Sequence, residues 1–122
     1  WYELQRYDYK IGYSYGKKTI RKTDMYVRPV GLGCMGFSHA YGLAQDKETA
    51  IQTIRQAYEM GYNFFDTANG YSAGTSEEYL GKALKKNVAR NQVVIASKVY
   101  FNEGRLSRQA IMREIDGTLS RL

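Results

Sequence analysis

An aspartate, a tyrosine and a lysine stand in an order that suits proton transfer. Asp66 ends the run YNFFD, Lys98 ends VVIASK, and Tyr71 lies five residues past Asp66, beyond the flexible Asn69-Gly70 pair. If the two apolar runs are adjacent parallel strands, the acid and the lysine pair at their carboxyl ends, where sites in α/β proteins lie. An ammonium near a tyrosine favours the phenolate and lowers the phenol's pKa from its usual value of about 10. Such a tyrosine can donate a proton to a developing alkoxide. Singly, each residue has a plainer reading: the acid as a loop cap, the lysine as a surface charge. Together, in this order, they are much harder to dismiss.

The elements that must hold these residues follow from hydrophobic periodicity. Residues 17–30 read as a hairpin, with strands Lys18-Thr19-Ile20 and Met25-Tyr26-Val27 around a turn at Arg21–Asp24. Pro29 limits further pairing there. Val30 to Met35 reads as a buried strand that ends in a glycine-rich loop through Gly36 and Gly42. Asp46 is a good helix N-cap, and Ala50, Ile54, Ala57 and Tyr58 share one helical face. Gly61 is the expected residue just past that helix. Tyr62 to Phe65 is the next strand, and 66–75 the loop after it. Ser76 is expected to cap a second helix, with Glu77 and Glu78 in the first turn where the dipole favours them. Val93-Val94-Ile95-Ala96 is apolar throughout and reads as a strand buried on both faces. Ser107 caps a third helix, Leu106 and Ile111 form its hydrophobic staple, and Ile111, Ile115, Leu119 and Leu122 extend its apolar stripe.

The order after the hairpin is thus β-α-β-α-β-α, which means a parallel sheet with helical crossovers. The alternation alone does not separate a barrel from an open sheet. A closed (β/α)₈ barrel needs roughly 250 residues, and the chain has 122. Residues 1–16 stand apart. They hold five of the 12 tyrosines and alternate with period two, as an added strand or as an appended segment without fixed structure.

Composition narrows the function classes. Eighteen basic residues against 12 acidic ones give a net charge of +6. Residues 1–28 alone hold seven basic side chains against three acidic ones. A basic surface attracts phosphates, a dinucleotide's included. No run of five basic residues supports a nucleic-acid tail, so no nucleic-acid partner is expected. The lone Cys34 fits a reducing, cytoplasmic setting and excludes an internal disulfide. No apolar run approaches the roughly 20 residues of a membrane span, and the beginning of the chain has no apolar signal region.

The stretch GYNFFDTANGYSAGTSEEYLGKAL resembles the aldo-keto reductase signature, in which Asp-Thr-Ala leads to a tyrosine and then to Glu-x-x-x-Gly-x-Ala-Leu. VVIASKVY is similar to that family's lysine strand, VGLGCMGFSHAYG to its first barrel strand and cofactor loop, and IRKTDMYVRPVGLG to the hairpin that plugs the barrel's bottom. YFNEGRLSRQAIMREIDGTLSRL is similar to the segment before the fourth strand. The resemblance spans 19–122, with five motifs in order. It implies a hairpin plus three β/α units of a (β/α)₈ TIM barrel, cut before closure, with residues 30–122 as the partial barrel. It implies Tyr71 as general acid, Lys98 lowering the pKa of Tyr71, and Asp66 pairing with Lys98. It implies an NADPH cofactor that gives a hydride to an aldehyde or ketone, with the backbone around Gly33, Cys34 and Met35, and Asp66, at the nicotinamide.

The departures matter equally. The family's catalytic histidine lies at the end of the fourth strand, which this sequence does not reach. The single histidine, His39, falls in the first loop and reads as a loop or substrate-pocket residue. The strands that grip the rest of the nucleotide are absent as well. Gly31 to Gly36 fits Gly-x-Gly-x-x-Gly, but no helix follows at once, and the Rossmann reading is rejected. Two alternatives stand beside the reductase: a non-catalytic barrel like the family's potassium-channel β subunits, and a self-associating fragment without turnover. The open edge of the third strand and the uncovered inner face predict association or loose packing, and negligible turnover by these 122 residues alone.

Overall fold

The computed structural model describes residues 18–39, 41–100 and 107–122. The Tyr-rich segment 1–16 and Leu106 of the expected staple lie outside the described residues.

Strands β1 (Lys18–Thr19) and β2 (Tyr26–Val27) form an antiparallel hairpin, with Lys18 opposite Val27. Strands β3 (Leu32–Gly33), β4 (Phe64–Asp66) and β5 (Val94–Ala96) form a parallel sheet in the order β3-β4-β5. Helices α1 (Lys47–Glu59) and α2 (Thr75–Leu84) are the crossovers, and α3 (Arg108–Arg121) follows β5. This is the expected β-α-β-α-β-α order.

Register explains the layering. Leu32 pairs with Phe65, and Phe65 with Ile95. This row faces the helices: Phe65 is completely buried with Ile54 of α1 and Leu80 of α2, and Leu32 and Ile95 pack against that core. Gly33, Asp66 and Ala96 form the next row and point the other way, because side chains alternate along a strand. Gly31 is required where it stands: a Cβ there would lie 2.8 Å from the Phe64 ring.

The helix boundaries follow local chemistry. The Asp46 side chain accepts a hydrogen bond from the Thr49 amide at 3.0 Å and starts α1. After the helix, Gly61 takes φ +100°, a left-handed conformation in which glycine has no Cβ to clash. Ser107 accepts from the Ala110 amide at 3.2 Å and starts α3. The second helix departs from expectation. Its cap position is Gly74, with no side-chain cap bond, and Ser76 is buried inside the first turn. The reason is competition: the Ser76 hydroxyl is engaged by Thr67 and by the Cys34 carbonyl instead.

Three further expectations fail. Strand β5 is only half-buried along its whole length rather than buried on both faces. It pairs with β4 on one side only, and the inner face of the row has no opposing layer among the described residues. In α3 only Ala110 is buried, and Leu119 of the predicted stripe is 69% exposed. That helix rests on α2 by one edge, so most of its stripe finds no cover. The first strand is also shorter than 30–35, because Met35–Phe37 turn into a single 3-10 turn.

The hairpin sits at the amino ends of the strands. Asn63, just before β4, donates to the Tyr26 carbonyl and accepts from the Arg28 amide, both at 2.8 Å. A cleft of about 990 Å³ opens at this end, between Met25, Tyr26, Tyr58, Tyr62 and Val93. It lies at the wrong end for chemistry in an α/β sheet.

Candidate active site

The candidates Cys34, Asp66 and Lys98 stand at or just past the ends of parallel strands, and Tyr71 stands in the loop after β4. The ladder continues past the strands through Cys34 N–H to Asp66 O (2.8 Å), Thr67 N–H to Ala96 O (2.8 Å) and Asn69 N–H to Lys98 O (3.1 Å). These bonds bring Cys34, Asp66 and Lys98 to one edge. The Lys98 ammonium donates to Asp66 Oδ1 and to the Thr67 carbonyl, each at 2.7 Å. It also lies 5.5 Å from the centroid of the Tyr71 ring, within cation–π range. Asp66, Tyr71 and Lys98, separated by up to 32 residues in sequence, are thus one cluster. The Asp66 and Lys98 side chains are each about half exposed, so their contact is an open, solvent-screened pair rather than a buried one.

The loop carrying Tyr71 is bent hard. Ser72 and Ala73 have φ of +50° and +53°, and Gly74 has +92°. Two successive non-glycine residues in the left-handed region are strained, and such strain persists only where surroundings enforce it. Here the enforcement is visible: Ser72 Oγ donates to the Ser38 carbonyl at 2.9 Å, tying the Tyr71 loop to the loop after β3. His39, next in that loop, places its ring 5.5 Å from the Tyr71 ring, centroid to centroid. Its Nδ1 is buried without a hydrogen-bond partner among the described residues.

Gly33 lies opposite Asp66 in register, and a Cβ built on it would meet nothing within 4 Å. There is open space above it, beside the acid. Cys34 is 1% exposed, and burial, reinforced by the nearby Asp66 charge, pushes its thiol up to about 12, with Lys98 opposing weakly. The thiol is therefore neutral and packed, and only the Cys34 backbone can serve a ligand. Met35 is half-buried at the start of the 3-10 turn.

Sequence reasoning missed the parts that lock this edge. Ser76 Oγ accepts from the Thr67 hydroxyl at 2.9 Å and donates to the Cys34 carbonyl at 2.9 Å, joining the ends of β3 and β4. Glu77 has no exposed surface, yet receives Ser97 Oγ (2.5 Å), Thr118 Oγ1 (2.9 Å) and Arg121 Nε (2.7 Å). It joins the end of β5 to α3. The first turn of α2 therefore ties all three strand ends together. The one hint in the sequence was a Ser-Glu pair beside apolar positions, which reads equally well as a solvated helix start.

The aldo/keto reductase family model matches residues 29–122. The chain belongs to the aldo-keto reductase family. Among curated relatives, this aldo-keto reductase chain is 38% identical to versiconal hemiacetal acetate reductase of Aspergillus parasiticus, over 79% of the chain and 36% of that protein. It is 34% identical to the aldo-keto reductase YhdN of Bacillus subtilis, over 85% of the chain and 33% of that protein. Among solved structures it superposes on aldo-keto reductase AKR11C1 of Bacillus halodurans with a TM-score of 0.70 and 31% identity, covering 87% of the chain and 36% of that structure. It also superposes on an aldo/keto reductase of Klebsiella pneumoniae solved with NADP and acetate, with a TM-score of 0.63 and 31% identity, covering 79% and 31%. The sheet is thus an arc of a TIM barrel. The chain spans about a third of the length of these relatives.

Proposed function

We propose that these residues form the proton-donor half of an NADPH-dependent reductase that converts aldehydes or ketones to alcohols. The observation that carries this reading is the position of Lys98, bonded to Asp66 at 2.7 Å and set 5.5 Å from the Tyr71 ring. NADP stands in the Klebsiella neighbour, and at Gly33, opposite Asp66, an added Cβ would meet nothing within 4 Å, which leaves room for a cofactor beside the acid. The backbone at Gly33, Cys34 and Met35, with Asp66 beside it, would border a bound nicotinamide. A reduced nicotinamide, when bound, supplies the hydride for the carbonyl carbon. The chain's own residues handle the proton. Tyr71 donates its phenolic hydrogen to the carbonyl oxygen as negative charge develops there. Lys98 stabilises the phenolate left behind, and Asp66, with the Thr67 carbonyl, holds the ammonium in place.

A barrel completed by the β/α units that relatives carry after the third is the form in which this chemistry is read. The 122 residues alone are expected to bind NADPH weakly and to turn over negligibly. Strand β5 leaves one edge unpaired among the described residues, and an unpaired edge recruits another strand. Self-association through that edge belongs to the proposal. So does a cytoplasmic setting, on the strength of a single buried, unpaired thiol. No helix among the described residues is long and apolar enough to cross a membrane. The test is aldehyde-dependent oxidation of NADPH, followed by absorbance, for the completed barrel and for the 122-residue chain. Turnover by the first and none by the second is expected. Comparable rates from both would refute the division of labour.

A further inference from the structure

We infer that Asn69 is a positioning residue that sets Lys98 against Tyr71, and that Glu114 fixes it in that role; the inference rests on the proposed duties of Tyr71 and Lys98. Asn69 is 7% exposed and uses three polar groups. Its backbone N–H donates to the Lys98 carbonyl at 3.1 Å. Its Oδ1 accepts from the Tyr100 amide at 2.7 Å. Its Nδ2 donates to Glu114 Oε2, on α3, at 2.9 Å. The first two bonds bracket Lys98, one on its own carbonyl and one two residues further on. Beyond Ala96 the chain of β5 has left the regular ladder, so these bonds are what continue it.

The neighbouring residues make the same clamp. A Cβ on Gly70 would lie 2.9 Å from the Tyr100 Cβ, so the backbone at 70 closes directly on that side chain. Tyr71 follows at once, its N–H bonded to the Ala68 carbonyl at 3.2 Å. The Asn69-Gly70 pair, flexible by composition, is thus a hydrogen-bonded and closely packed link between the two loops. Through it the Lys98 backbone is held against the segment that leads into Tyr71, while Asp66 and the Thr67 carbonyl hold the ammonium itself.

Only an amide fits here. One end must accept from a backbone N–H while the other donates to a carboxylate, and asparagine does both in one plane. Aspartate would keep the bond from Tyr100 but turn an oxygen toward the Glu114 oxygen, placing two like charges in contact. Glutamine at 114 would restore a donor to that contact.

The test is a double-mutant cycle in the completed barrel. Asn69→Asp is expected to lower kcat by about 10- to 100-fold with the aldehyde KM little changed, since a small misplacement of catalytic groups acts on the chemical step. Adding Glu114→Gln is expected to return kcat to within about threefold of the parent, the signature of a direct pairwise contact. Parent-like kcat in Asn69→Asp, or a double variant no faster than Asn69→Asp, overturns the inference. A second arm needs no turnover: Asn69→Ala in the completed barrel is expected to speed hydrogen exchange of the Tyr100 amide, and unchanged exchange overturns the clamp. If Tyr71→Phe kept the full rate, the proton-donor reading would fall while Tyr100 exchange still judged the clamp by itself.

Discussion

Glu77 and Arg121 meet at 2.7 Å, with the glutamate side chain wholly shut off from solvent and the arginine about a quarter exposed. The pair fastens the last turn of α3 to the first turn of α2. Leaving a buried carboxylate without its cation costs about 3–5 kcal/mol. Two hydroxyls, from Ser97 and Thr118, remain as donors, so Arg121→Ala is expected near the lower end of that range. Urea unfolding followed by circular dichroism measures it, and a change below about 1 kcal/mol would mean that the hydroxyls alone satisfy the charge.

Gly81 faces the same helix end. A Cβ there would run into the Arg121 carbonyl oxygen, which is backbone and cannot swing aside. In an open helix, glycine to alanine gains roughly 1 kcal/mol. Here the sign is reversed: Gly81→Ala is expected to destabilise by about 1–3 kcal/mol, as overpacking does. A raised melting temperature for this variant would show that α3 does not dock as described.

Ala73 is exposed and held at φ +53°. It makes the turn that follows Tyr71 at a steric cost of roughly 1–2 kcal/mol. Ala73→Gly is expected to remove part of that cost and stabilise the chain slightly. Thermal melts decide it, and a lowered midpoint would mean that glycine's extra unfolded-state freedom outweighs the relieved strain.

Cys34 offers a pH test. Its folded pKa is pushed up to about 12 from an ordinary thiol value of 9.0, chiefly by burial. A raised folded pKa means the folded state holds the proton more tightly. The stability from the buried neutral thiol is therefore fully present below pH 9 and is lost as pH rises toward 12. The loss approaches about 1.4 kcal/mol per pH unit between those limits. Cys34→Ala should show a flatter stability curve over that range. In the native chain at pH 8 the thiol is expected to resist alkylation by iodoacetamide, and rapid labelling would contradict the burial.

The order of elements was legible in the sequence because periodicity and caps agree with it. Asp46, Gly61 and Ser107 each announce a helix end by chemistry confined to neighbouring residues. The pairing of Asp66 with Lys98 was legible because both end apolar runs in a parallel sheet, where strand ends coincide. What was not legible depends on contacts across the chain. Ser76 looks like a cap until Thr67 and the Cys34 carbonyl compete for its hydroxyl. Glu77 looks like a solvated first-turn acid until Arg121, 44 residues on, comes back to it. Val94–Ala96 looks like a fully buried strand because its composition suits a closed barrel, whereas one face and one edge here lack cover. Leu119 follows the same logic, since its stripe is built for more neighbours than the described residues supply.

The central claim is that Tyr71 gives the proton, with Lys98 and Asp66 arranged to support it. The direct measurement is kcat for NADPH-driven aldehyde reduction by the completed barrel with Tyr71→Phe, which removes only the hydroxyl. The account predicts a loss of at least about 100-fold, the scale of a missing general acid, with the fold unchanged by circular dichroism. An undiminished kcat would contradict it.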